Sequence, residues 1–230
     1  MFLNVLGKEL ITMNRNHKYI LIDTDTCTSM DHPFVYNFAG SVIDQHGNVY
    51  EEGNFINADV FYGMSNLMKS AYYAEKIPQY HEQINAGKIT VANWYSVKMW
   101  VREMCEKYDV KAIIAHNARF DYRSCTQTQR YETCSKYRYF FPYGVELWDT
   151  LRMARQTFGK DEAYKKFCLE NGFVVQNDRP KLTAEVLYKY ISGDVSFVEE
   201  HTGLADTLIE KEIFVQCVQM DPSIEKRCWA

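Results

Sequence analysis

The chain has 230 residues, of which 47% are hydrophobic and 24% charged, and its net charge is −4. This balance belongs to an ordinary globular protein able to bury a sizeable core, and it excludes a disordered or fibrous chain. No apolar run approaches the roughly 18 residues that a membrane span needs, and the N-terminus lacks the long apolar stretch and small-residue cleavage site of a signal peptide.

Residues 1–17 read as an N-terminal extension, with Met13 an alternative start to Met1. Residues 19–26, YILIDTDT, are apolar and then abruptly polar, the pattern of a buried strand that ends at a site. Strands are expected at 34–44 and 48–56, joined by the turn cluster Gln45-His46-Gly47 as a hairpin. Residues 64–85 read as helical. Asn93 can cap the following helix, in which Val97, Val101, Met104, Cys105 and Tyr108 recur at helical spacing. VKAIIAHN (110–117) is a second apolar run ending in polar groups, and a helix is expected from about Arg119. Residues 131–145 read as irregular and aromatic-rich. VELWD (145–149) is a short strand candidate before a helix that Asp149 can cap. A helix from about Asp161 should stop near Asn171-Gly172, Thr183 can cap a helix that Gly193 ends, and a last helix spans roughly 202–219. The remaining residues, 221–230, read as a tail.

No repeat or linker interrupts this order, so residues 18–220 are read as a single domain. Strands alternating with helices after an opening hairpin predict an α/β domain with a mixed central sheet flanked by helices. The seven cysteines are scattered, odd in number and without a Cys-x-x-Cys pair, which predicts reduced thiols in a cytoplasmic protein.

Three polar runs carry chemistry. Asp23 and Asp25 are two apart in a strand and so share one face. Two like charges at the end of an apolar strand repel, and a hard divalent cation with oxygen ligands removes the conflict. IIAHNARFD (113–121) delivers His116, Asn117 and, one helical turn later, Asp121. HTGLAD (201–206) delivers His201 and Asp206, which converge only if the histidine lies on the loop before a helix that holds the aspartate. The neighbouring Glu199 and Glu200 either raise the basicity of His201 or face solvent.

Together these runs resemble the DEDDh 3′→5′ exonuclease superfamily, which contains proofreading exonucleases, oligoribonuclease and RNase T. That superfamily carries Asp-x-Glu-Thr, His-Asn-x-x-Phe-Asp and His-x-x-x-x-Asp in this order. Here they stand as Asp23-Thr24-Asp25-Thr26, His116-Asn117-Ala118-Arg119-Phe120-Asp121 and His201-Thr202-Gly203-Leu204-Ala205-Asp206. AGSVID (39–44), WDTLRMAR (148–155) and KLTAEVLYKYISG (181–193) are also similar to family segments, so the likeness covers about residues 18–215. The chain departs from the pattern twice: Asp25 stands where the family has Glu, and Thr28 where it has Gly.

The resemblance implies an RNase H-like fold and a two-metal phosphodiester hydrolase releasing nucleoside 5′-monophosphates from 3′ ends. It implies two Mg²⁺ or Mn²⁺ ions held by Asp23, Asp25, Asp121 and Asp206, with His201 as the base. Thr26 and Asn117 would meet or support the substrate. The expected partners are single-stranded DNA or RNA 3′ ends, with no membrane; a homodimer is compatible with these features. Two alternatives stand beside this reading: an RNA-trimming enzyme of the same fold, and a weakly active nucleic-acid-binding or interaction module, because Asp25 has a shorter reach than Glu.

Charge is uneven along the chain. Residues 111–160 carry 9 Lys and Arg against 4 Asp and Glu, a balance of +5, whereas residues 161–230 carry 8 against 13, a balance of −5. Aromatic residues interleave with cations between Tyr122 and Trp148, an arrangement that either grips single strands or packs the segment onto the core.

Overall fold

In the computed structural model, which describes residues 17–229 apart from 30, 70, 72, 73 and 134–138, the first apolar run forms β1 (Lys18–Cys27). Tyr19 and Leu21 point into one core cluster and Ile20 and Ile22 into another, so both faces of β1 are covered. A strand buried on both faces sits centrally, and the sheet order is β4-β3-β2-β1-β5-β6. Here β2 is Phe34–Asp44, β3 is Val49–Asn57, β4 is Thr90–Ala92, β5 is Val110–Ala115 and β6 is Glu146–Asp149. The pairs β1–β2 and β2–β3 are antiparallel; β3–β4, β1–β5 and β5–β6 are parallel. The expected mixed sheet and opening hairpin are both present.

The helices divide between the faces. The Leu21 face is covered by α6 (Thr150–Gln156), α7 (Glu162–Glu170), α8 (Ala184–Ser192) and α9 (Gly203–Met220), with Met153, Tyr164, Leu187, Ile213 and Phe214 in one cluster. The Ile20 face is covered by α4 (Trp94–Tyr108), which contributes Val97, Val101 and Met104, and by the start of α5 (Ala118–Thr133). Each fully buried aliphatic side chain adds roughly 1.5–3 kcal/mol of transfer free energy, so these two layers hold the sheet rigid. A minor two-stranded ribbon pairs β7 (Val174–Val175) with β8 (Arg179–Pro180).

Local signals set most boundaries. The Asn93 side chain accepts from the Ser96 amide at 2.8 Å, as its capping position predicts. Asp149 caps α6 by accepting from the amides of Leu151 and Arg152. Gly193 ends α8 with φ +73, a left-handed turn that glycine adopts without a Cβ clash. Thr183 occupies the cap position of α8 but makes no side-chain cap bond. The segment 64–85 is not one helix. It breaks into α2 (Ser65–Met68), a 3-10 turn at Ala74–Lys76 and α3 (Ile77–Asn85), with Pro78 marking the fresh start. With α1 (Ala58–Phe61) these pieces bury Tyr80, Val60, Phe61 and Met68 against the far ends of β1 and β2. The helix α5 runs to Thr133, into the stretch expected to be irregular.

The residues beyond 220 pack on β6. The Cys228 amide donates to the Leu147 carbonyl at 2.8 Å, and the Asp149 amide donates to the Lys226 carbonyl at 2.9 Å. The six described cysteines are free and buried, and among the described residues no helix is long and apolar enough to cross a membrane.

The entry of α9 is where fold and site meet. A Cβ on Gly203 would lie 2.6 Å from Asn37 Oδ1 and 2.8 Å from the Ala39 Cβ on β2. Only glycine lets the helix start this close to the sheet. Gly203→Ala is expected to lower the unfolding free energy by about 1–3 kcal/mol, measured by urea denaturation. An unchanged midpoint would show that α9 does not need this approach.

Candidate active site

The polar ends of β1 and β5 lie side by side, because the two strands are parallel neighbours. The cleft they open holds about 820 Å³ and is lined by six acids: Asp23, Asp25, Asp121, Glu199, Asp206 and Glu210. His116, Asn117 and His201 line it too. The four predicted aspartates and the predicted histidine therefore share one cleft, although they come from β1, α5, α9 and the loop before α9. His201 does sit on that loop, with φ +50, and Asp206 lies in the first turn of α9.

Four of the six acids are held by distinct hydrogen bonds. The Thr24 hydroxyl donates to Asp121 Oδ1 at 2.8 Å, tying β1 to α5. The Tyr80 hydroxyl, fully buried on α3, donates to Asp25 Oδ2 at 2.5 Å. The His201 amide donates to the Asp206 carboxylate, fixing the loop to the helix. Glu210, one helical turn beyond Asp206, accepts from the His116 amide at 3.2 Å. The buried Oδ1 of Asp206 has no hydrogen-bond partner among the described residues.

This crowding pushes the carboxyl groups upward, with burial as the largest cause in every case. Asp25 rises to about 6, Asp121 to about 7, Glu199 to about 7 and Asp206 to about 8. Asp23 and Glu210 rise well above their ordinary values, and neighbouring carboxylates add to the effect of burial at both. The Tyr80 hydrogen bond and the nearby Lys76 ammonium hold Asp25 back.

His201 is half-buried. Its Nδ1 lies 3.6 Å from Glu199 Oε2. Burial and then Lys76 hold its pKa below the ordinary value, outweighing Glu185 and Glu75. Of the two readings left open for the neighbouring acids, a gain in basicity is not the outcome, because burial near a cation disfavours the imidazolium more than the acids favour it. Glu200 is exposed, and its carbonyl accepts from Lys76 Nζ. His116 is fixed between Thr150 Oγ1 at 3.0 Å and the Leu182 carbonyl at 2.9 Å.

The two predicted substrate residues are placed differently. Asn117 lines the cleft with φ +70, and its amide donates to Asp149 Oδ1 at 3.1 Å. Thr26 follows a register shift in the β1–β2 ladder and is not among the cleft-lining residues; Thr24 is. Thr28, where the family pattern has glycine, keeps a left-handed φ of +74. A β-branched residue is costly there.

Sequence reading missed Glu210, Tyr80 and Lys76. The i, i+4 spacing of Asp206 and Glu210 on one helix was a usable signal. Tyr80 and Lys76 belong to the broken segment 64–85 and carried none.

The donor set fits a hard divalent cation. Oxygen ligands dominate, Asp206 Oδ1 has no partner among the described residues, and one ligand atom each from Glu199, His201 and Asp206 lie within 4.8 Å of one another.

No known protein-family profile matches the chain, and no curated protein matches its sequence. Solved structures do match. One structure of exonuclease I aligns with a TM-score of 0.52 at 15% identity, covering 90% of this chain and 42% of that one. E. coli exonuclease I bound to single-stranded DNA and zinc aligns at 0.51 and 15%, covering 91% and 42%. Exonuclease X bound to duplex DNA with a 5′ overhang aligns at 0.49 and 17%, covering 90% and 94%. The chain has an RNase H-like α/β fold similar to that of the exonuclease I structures, and it spans about two fifths of exonuclease I.

The shifted acids make the metal-free protein sensitive to pH. Each binds its proton more tightly in the folded chain than at its ordinary value of 3.8, so stability is lost as pH rises from there through about 6 at Asp25, 7 at Asp121 and 8 at Asp206. Asp121→Asn, which still accepts from Thr24, is expected to stabilise the chelator-treated protein by about 2 kcal/mol near pH 8 and to flatten the decline. Thermal melts across the neutral range test this; an identical pH profile would count against it.

Proposed function

We propose that this protein is a metal-dependent 3′→5′ exonuclease that removes nucleoside 5′-monophosphates from single-stranded 3′ ends. The observation that carries this reading is the convergence of Asp23, Asp25, Asp121 and Asp206 in one cleft, with His201 at its wall. Structural likeness to exonuclease I, solved with single-stranded DNA, supports it.

Asp23, Asp25, Asp121 and Asp206 would hold divalent cations, Mg²⁺ or Mn²⁺, two by resemblance. Bound there, such ions supply neutralisation of the phosphate and activation of water. The protein's own groups do the rest. His201, held neutral by burial and by Lys76, takes a proton at Nε2 from the attacking water. Its Nδ1–H then faces Glu199, whose carboxylate steadies the imidazolium. Tyr80 and Thr24 orient Asp25 and Asp121 through their hydroxyls, so neither acid is free to swing toward a neighbour. Asn117 lies at the rim, where the strand enters.

One feature favours a second reading with little turnover. Asp25 is shorter than the family's Glu by one methylene, and Tyr80 holds its carboxylate from behind. Catalytic geometry is sensitive at about the 1 Å scale.

The test uses 5′-labelled DNA and RNA strands of one sequence with Mg²⁺, Mn²⁺ or EDTA. Shortening from the 3′ end is expected with either ion, and a loss of about 100-fold or more in Asp121→Ala. No turnover of either strand by folded protein would overturn the exonuclease reading. Tyr80→Phe is expected to lower kcat about 10-fold with little change in KM, because it frees Asp25. If the protein is instead a weakly active module, Asp25→Glu paired with Tyr80→Phe should raise activity by more than the product of the two single effects. An additive result would remove the argument for that reading.

A further inference from the structure

Two basic surfaces meet at the cleft, one joining Arg155 to Arg179 and Lys181 and the other carried by the basic segment 111–160 alone. On one side Arg155, Arg179 and Lys181 line the cleft together with Leu151 and Leu182. On the other, the helix α5 carries a separate groove of about 520 Å³. Asn117 and Phe120 line both the cleft and this groove, so the two hollows adjoin.

The groove has a definite chemistry. Arg119, Arg123 and Arg130 line it, and among the described residues no carboxylate does. The three arginines fall at i, i+4 and i+11, which places them along one face of the helix. From the first to the last the axis rises about 16 Å. Thr126 and Gln127 fill the interval between them with uncharged polar groups. At the cleft end, Arg119 Nη2 donates to the Cys228 carbonyl at 3.2 Å, which ties the chain's last turn to α5 and sets Trp229 in the groove wall. The Trp229 side chain is 54% exposed and stands edge-on to the Tyr122 ring at 4.9 Å. A large exposed ring between arginines is costly to leave in water. It suits a base, which presents an apolar face of similar size with a phosphate on either side.

We infer that this α5 face is a binding site for single-stranded nucleic acid. It takes the part of the strand upstream of the 3′ end, with phosphates on Arg119, Arg123 and Arg130 and a base on Trp229. The inference rests on the exonuclease reading for the strand's polarity. It also makes a choice between the two basic surfaces. Among the described residues that line the cleft beside Arg155, Arg179 and Lys181 there is no Phe, Tyr or Trp apart from Phe120, which already belongs to the α5 side. An acidic protein would satisfy the arginines but would leave Trp229 without a stacking partner. Nucleic acid satisfies both.

Affinity is read by fluorescence anisotropy with 5′-fluorescein oligothymidylates and oligouridylates, one set of three nucleotides and one of about twelve, in Ca²⁺ and over a range of salt. For the full chain carrying Arg123→Glu and Arg130→Glu, the ratio of long- to short-strand affinity is expected to fall about 10-fold or more, and the salt slope to drop by about 2. Trp229→Ala should lower the same ratio about 10-fold with the salt slope kept, since stacking releases no counterions. Arg155→Glu with Arg179→Glu is the comparison, and a larger fall in the ratio there would move the strand to the other side and overturn the inference. An unchanged ratio in the α5 variants would overturn it as well, as would polyglutamate competing as well as the long strand. The DNA and RNA arms separate the two sources of the same backbone chemistry. If the wild-type protein binds long strands through these residues but never shortens them, the exonuclease reading falls while the groove stands.

Discussion

Six carboxyl groups crowd one cleft, and their mutual repulsion is the constraint that the surrounding structure has to meet. Left to themselves, Asp23 and Asp25 on β1 would push away Asp121 and Asp206. The fold prevents this by carrying the acids on elements that cannot separate. The strand β1 is locked between β2 and β5, and α9 is seated on it through Ile213 and Phe214. The core energy that holds these layers together is spread over many side chains, whereas the repulsion is concentrated in a few. Protonation relieves part of it, and the raised carboxyl values, owed first to burial and then to neighbouring acids, favour that state; a divalent cation would relieve the rest.

The parts of this arrangement that were legible in the sequence are those that sit where an apolar run turns polar. Asp23, Asp121 and Asp206 each follow such a run, because the end of a buried strand or the start of a buried helix is where a side chain can reach both core and solvent. Chain order and spacing then added what periodicity could not. Glu210 went unread because it sits in the charged cluster Glu210-Lys211-Glu212, which reads as a solvated face, although its distance from Asp206 is one helical turn. Tyr80 and Lys76 were illegible for another reason. They act on the site from a segment whose helical periodicity is broken by Pro78 and a 3-10 turn, so no pattern announces which way they face. The direction of the His201 shift stayed open in the sequence, which gives its acidic neighbours but not its burial.

The two departures from the family pattern behave differently. Thr28 retains the left-handed backbone that glycine would adopt, so the turn geometry survives the loss of the residue best suited to it. Asp25 comes with a compensating contact. The buried Tyr80 hydroxyl donates to its carboxylate at 2.5 Å. The segment between β3 and β4 is thus part of the site's architecture, even though it lies outside the resembling motifs.

The order in which the acids occur along the chain also governs when the cleft can come into being. The hairpin of β1 and β2 is local and can form as soon as those residues are available, whereas β1 joins β5 only across a long loop and α9 arrives last of all. Non-local contacts of this kind are late events in folding, since loop closure precedes the reward of packing. A partly folded chain therefore displays two acids on an open hairpin and has neither Asp206 nor the loop that carries His201. Whatever chemistry the cleft performs is withheld until Gly203 lets the final helix close against the sheet, so the molecule passes directly from inert to complete.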